Sequence, residues 1–163
     1  MLNVNEHRQK MTIPEKRVVI ALGNQFRGDD GAGLFVADQL RKRHIACEII
    51  DNISDALAIM TAWENAAFAV IVDAMITGKP PGTILRIDTD AGPVPKDLAR
   101  CSSHGMGVAE AIDLSKAMGR LPVHLVIYAI EAKTFEPGIA LSPEVLRAAE
   151  TAAQQIEAEM ELG

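Results

Sequence analysis

The sequence predicts a three-layer α/β/α sandwich on a mostly parallel five-stranded sheet with one antiparallel strand. Three observations predict it. Short runs rich in Val and Ile alternate with stretches of helical spacing, the pattern of the crossovers that build parallel sheets. One link, MITGKPPG (75–82), is too short for a crossover helix, so the strand after it must turn back. No repeat, linker or low-complexity tract divides the 163 residues, a length suited to one domain with its own core. Residues 17–163 therefore read as a single domain. Residues 1–16 are polar and mixed in charge, without an apolar h-region, and read as a flexible extension rather than a signal peptide.

The elements follow in order. RVVIALG (17–23) is apolar, β-branched and closed by glycine, as a buried strand is. GAGLFVADQLRKR (31–43) spaces Leu34, Ala37 and Leu40 helically and ends in cations, which suit a helix C-terminus. ACEIID (46–51) is a second strand. SDALAIMTAWEN (54–65) is a second helix that Ser54 or Asp55 can cap. AAFAVIVDA (66–74) is the third strand, and TILRID (83–88) the fourth, expected antiparallel to the third. Residues 89–104 form a long loop, and loops of this length without secondary structure are usually functional or mobile. GMGVAEAIDLSKAMG (105–119) is the third helix and VHLVIYAI (123–130) the fifth strand. The last helix spans 142–160, with Ser142 at its N-cap and Pro143 in its first turn.

Composition excludes several functions. A net charge of −6 offers no field for nucleic acid or an anionic membrane. Aromatics are only 4%, too few for base-stacking platforms. No apolar run approaches the ~20 residues of a membrane helix. Cys47 and Cys101 make no disulfide framework, which points to a reducing cytoplasm.

Residues 23–33, GNQFRGDDGAG, begin like a phosphate-binding loop: a strand, then Gly, four residues, Gly. Lys and Ser or Thr would come next, but Asp29 and Asp30 stand there. Paired carboxylates repel a polyphosphate, and GxGxxG is absent, so a cation or electropositive partner is favoured over a nucleotide. Gly28, Gly31 and Gly33 are expected to permit positive φ and to let another chain approach the backbone closely.

Ligands of parallel sheets sit beyond the carboxyl ends of the strands. Topology gathers Asn24, Asp29, Asp30, Asp51, Asp73 and Glu131 at that rim, with His104 just before the third helix. Clustered carboxylates repel unless a cation joins them or some are protonated. Two Asp and one His suit zinc or nickel better than magnesium. Plainer readings stand beside this. Asp29 or Asp30 can cap the following helix, Asp73 can satisfy loop N–H groups, and Asp51–Asn52 can be a polar strand end. Glu131 reads as a structural rim residue. His104 can be a surface residue beside Ser102 or Ser103, although it is the one histidine of four at this rim. Cys101 lies three residues before it. A single Cys-x-x-His without a partner pair reads as an inert thiol, with a Cys–His nucleophilic pair as the alternative, while Cys47 reads as core.

GNQFRGDDGAG (23–33), IDN (50–52), VIVDAMITGKPPGTI (70–84), SSHGMGVAEAIDL (102–114) and IEAKTFEPGIALSPEV (130–145) together resemble the motifs of the hydrogenase maturation proteases, over about residues 17–150. The resemblance implies an aspartic-type endopeptidase that removes the C-terminal peptide of a nickel–iron hydrogenase large-subunit precursor after nickel insertion. It implies metal contacts from Asp30, Asp73 and His104, with Asp30 ranked above Asp29, and it marks Asp51 as a further acid near the site. Catalytic roles are expected of Asp30 and Asp51, the latter as general base. Nickel is expected in the precursor, where it serves recognition and can orient the scissile carbonyl or activate a water. No GxSxG elbow or HExxH is present. The family often has a larger aliphatic residue where Phe26 stands and does not require Cys101. The expected protein is a cytoplasmic monomer whose partner is the precursor. A non-catalytic nickel-binding chaperone that checks metal loading is the alternative.

Overall fold

The computed structural model describes residues 15–162. Nearly all of the expected N-terminal extension lies outside the described residues. The elements are β1 (Arg17–Ala21), α1 (Ala32–Lys42), β2 (Glu48–Ile50), α2 (Ala56–Trp63), β3 (Phe68–Met75), β4 (Ile84–Asp88), α3 (Leu98–Cys101), α4 (Gly105–Met118), β5 (His124–Glu131) and α5 (Pro143–Leu162). A single 3₁₀ turn, Gly28–Gly31, precedes α1.

The sheet runs β2-β1-β3-β5-β4, parallel except for the β4–β5 pair. Every residue of β3 is buried, as the continuous apolar run FAVIV requires of a central strand covered on both faces. Alternate side chains divide the core. Val19, Val72 and Tyr128 pack beneath α1 and α5 with Leu40 and Ile156. Ile20, Ile71 and Ile127 pack beneath α2 and α4 with Ile59 and Val108. Asp55 caps α2 by accepting from the Ala58 N–H at 2.9 Å.

Two expectations are refined. The fourth strand runs antiparallel to the third, as expected, but not as its neighbour: β5 lies between them. All eight residues of β5 pair in parallel with all eight of β3, from Phe68↔His124 to Met75↔Glu131. The short link reverses direction, but the long apolar β5 fills the edge of β3. The five-residue, half-exposed β4 takes the sheet edge, where a short strand is harmless. Second, the 89–104 loop contains a turn of helix, α3. Leu98 is buried in the core, and the Cys101 carbonyl accepts from the Ile76 N–H at 2.9 Å, tying α3 to the end of β3. One apolar anchor carries no readable period.

Asp73 shares the strand face of Ala69 and Ile71, by the alternation of β3. Its carboxylate therefore meets the α3–α4 segment at the carboxyl edge of the sheet.

Candidate metal centre

The glycine loop sets the first acid in place. Gly28 has φ +57, as expected, but Gly31 has an ordinary φ of −78. Gly33 is needed for space: a Cβ there would lie 2.3 Å from the Leu22 carbonyl oxygen and 2.8 Å from that of Val72. The close approach is thus made by the chain itself. It presses the start of α1 against β1 and β3 and carries Asp30 to the end of β3. Neither acid caps α1; its N-cap is Gly31, without a side-chain bond.

The two adjacent acids have opposite surroundings. Asp29 is buried and fully bonded. It accepts from the N–H groups of Lys133 (2.8 Å), Thr134 (3.3 Å) and Ser142 (2.7 Å), and from the Ser142 hydroxyl at 2.9 Å. It ties the glycine loop to the link between β5 and α5, and the Ser142 hydroxyl, expected to cap α5, is committed to it. Asp30 is equally buried, yet among the described residues neither of its carboxylate oxygens has a hydrogen-bond partner. Arg27 Nη1 stands 3.8 Å from its Oδ2, an ion pair without a hydrogen bond. Burial pushes the Asp30 carboxyl above its usual range; His104 and Arg27 oppose this and Asp73 adds to it.

Asp73 and His104 complete the set. Asp73 Oδ1 accepts from the Ala74 N–H at 2.9 Å, and Oδ2 accepts from the Ser102 hydroxyl. The same Ser102 oxygen accepts from the His104 N–H at 3.1 Å, so one serine fixes both the carboxylate and the backbone carrying the imidazole. His104 Nδ1 is buried, has no hydrogen-bond partner among the described residues and lies 3.6 Å from Asp73 Oδ1, at ion-pair distance. Asp73 first, and Asp30 in addition, hold the imidazole above its ordinary pKa; burial and Arg27 pull the other way.

Ligand atoms of Asp30, Asp73 and His104 all lie within 4.8 Å of one another. Buried polar atoms are normally bonded, so three orphaned atoms on two members of one such cluster mark a place for something else. Two carboxylate oxygens and an imidazole nitrogen suit a divalent transition metal. Residues from three separate segments, named from the sequence as the metal set, are thus brought together.

The other rim residues are occupied. Asp51 is bound by Arg41 Nη1 at 2.8 Å and by the Asn52 side-chain amide. It does not belong to the cluster around Asp30. Glu131 is buried and accepts from the Thr77 N–H (2.7 Å), the Thr77 hydroxyl (2.6 Å) and the Gly78 N–H (3.0 Å), so it holds the 76–82 turn. Asn24 closes its own loop on the Phe26 N–H at 2.9 Å. Cys101 packs against the core beside α4, and burial pushes the Cys47 thiol up to about 11, away from the reactive thiolate. Neither Ser102 as a ligand support nor Arg27 stands out from the sequence pattern. The Ser-x-His spacing and the arginine within FRGDD were the available signals.

His104 also lines an open cleft of about 350 Å³, together with Asn24, Phe26, Asn52 and Ser54. Phe26 (72% exposed) stands in its wall, and Met106 (76%) follows His104 by two residues.

Two buried carboxylates and a partly buried imidazole at the carboxyl edge of a mostly parallel sheet define a class of protein with a metal-competent rim. The comparisons are more specific. The family model for hydrogenase maturation proteases matches residues 35–159, which include Asp73 and His104. The chain belongs to that family. The Hydrogenase 2 maturation protease of Escherichia coli is 25% identical over 143 residues, spanning 85% of this chain and 87% of that protein. HupD of Thiocapsa roseopersicina is 24% identical, and this chain spans 60% of its length. The solved structure of the hydrogenase maturating endopeptidase HybD from E. coli shares the fold, with a TM-score of 0.75 and 22% identity over 90% of this chain and 92% of that one. Among the described residues no helix is long and apolar enough to cross a membrane.

Proposed function

We propose that the protein is an endopeptidase that removes the C-terminal peptide of a nickel–iron hydrogenase large-subunit precursor after nickel insertion, with the precursor's nickel as its recognition element. The observation that carries this is the orphaned carboxylate of buried Asp30 facing Asp73 and His104 within 4.8 Å. Family membership supplies the reaction class. Asp30, Asp73 and His104 would contact the nickel, which arrives as part of the substrate and polarises the scissile carbonyl or acidifies a water.

The chain's own groups divide the remaining work. Ser102 holds Asp73 and His104 in register. Asp30 has two unpartnered oxygens and a carboxyl pushed upward by burial, so it suits proton acceptance better than Asp51, which Arg41 and Asn52 already engage. Exposed Phe26 and Met106 give the rim apolar contacts for a protein substrate. The work belongs in the cytoplasm, where the precursor is the partner.

Intact-mass spectrometry tests the proposal. Incubation should shorten a nickel-loaded precursor and leave a nickel-free one whole. Equal trimming of both would remove nickel recognition. An unchanged mass in a stable complex would establish the chaperone instead.

A further inference from the structure

Arg27 is the arginine whose charge acts on both Asp30 and His104. Its guanidinium is held loosely. Nη1 is 3.8 Å from Asp30 Oδ2, and the group lies 6.0 Å above the Phe135 ring, the outer limit of a cation–π contact. The side chain is 43% exposed, whereas that of Asp30 is fully buried. A permanent positive charge therefore stands at the solvent boundary of a mostly buried acidic set, attached to it by charge rather than by a directed bond.

We propose that Arg27 is a specificity-determining residue that selects how a metal arrives. A bare divalent cation entering the cluster meets the guanidinium at a few ångströms and is repelled. A metal still surrounded by anionic ligands of another molecule carries little or no net positive charge and is not repelled. Its ligands can instead pair with the guanidinium, whose planar donors suit anions. The site is thus biased against free ions and toward delivered metal. This rests on the assignment of Asp30, Asp73 and His104 as metal contacts. If Arg27 only formed a surface pair with Asp30 three residues on, its removal would leave metal affinity unchanged.

Calorimetric titration of the full chain with Ni²⁺ alone decides between these. Arg27→Gln should bind Ni²⁺ about tenfold more tightly than wild type, and Arg27→Lys, which keeps the charge, should stay within about twofold. Arg27→Met, which keeps the stem beside Phe135, should show the same gain and replaces Arg27→Gln if that variant does not fold. Unchanged or weaker binding in the neutral variants overturns the inference, as does an equal gain in Arg27→Lys. Adding His104→Ala to Arg27→Gln should abolish the gain. If the gain persists, the ion binds elsewhere and the metal-site assignment fails too. If His104→Ala weakens binding in wild type while Arg27→Gln changes nothing, only the role of Arg27 is lost.

Discussion

Two clusters in this molecule have the same composition and opposite character. Asp88, Asp90 and His124 also offer ligand atoms within 4.8 Å of one another. They sit at the other end of the sheet, where β4 ends and β5 begins. There His124 Nδ1 is 2.5 Å from Asp90, its Nε2 is 3.6 Å from Asp88, and Arg86 also reaches Asp88 at 3.8 Å. Both ring nitrogens face a carboxylate, and water reaches the group. Around Asp30, Asp73 and His104 both carboxylates are buried and the imidazole is mostly so, with three atoms lacking a hydrogen-bond partner among the described residues. Residue identity is equal in the two; unsatisfied burial is not. Folding tolerates such atoms only where the rest of the structure overdetermines their position, and here Gly33, Asp29 and Ser102 do so.

The largest contrast should appear in activity. His104→Ala or Asp73→Asn should reduce processing of the nickel-loaded precursor by at least about 100-fold, while His124→Ala stays within about twofold, as read by intact mass against time. Comparable losses in both clusters would break the comparison.

The next contrast separates two neighbouring acids by urea unfolding at neutral pH. Asp29→Ala should lower stability by about 3 kcal/mol or more, because it strands three part-buried N–H groups and leaves a gap where a buried, fully bonded side chain stood. Asp30→Asn should leave stability unchanged or raise it by about 1 kcal/mol, because it removes a buried charge that no hydrogen bond supports, and should still abolish processing. The sign follows from the raised Asp30 pKa. The folded state binds that proton more tightly than the unfolded chain, whose value is 3.8, so stability falls as pH rises through the folded value. Asn, which carries no charge, removes that burden at the pH values above the folded value.

A smaller effect belongs to His104. Its folded pKa lies above 6.5, so its stabilisation is complete below 6.5 and disappears as pH rises through the folded value. Urea midpoints of wild type should therefore decline over that window relative to His104→Ala. Parallel profiles would contradict the Asp73–His104 pairing. Smallest of all, His124→Ala should change stability by no more than about 1 kcal/mol, as exposed ion pairs do.

Much of the fold was legible because its strands are apolar runs and its helices carry clear periods. The pairing of β4 was not: a short link fixes direction, but which strand borders β3 depends on the match between β3 and β5. The α3 turn escaped because Leu98 alone anchors it. Asp30, Asp73 and His104 were legible because parallel topology sends strand ends to one rim. The division of labour between Asp29 and Asp30 was not derivable from spacing, since it depends on the distant backbone of Lys133, Thr134 and Ser142. The family resemblance alone ranked Asp30 first. Asp51 ends its strand at that same rim, but local pattern does not reveal that Arg41 holds it.

Anomalous diffraction from crystals of the protein grown with Ni²⁺ tests the metal assignment most directly. The account predicts a nickel peak bonded to Asp30, Asp73 and His104. A peak at Asp88, Asp90 and His124, with none at the buried set, would contradict it.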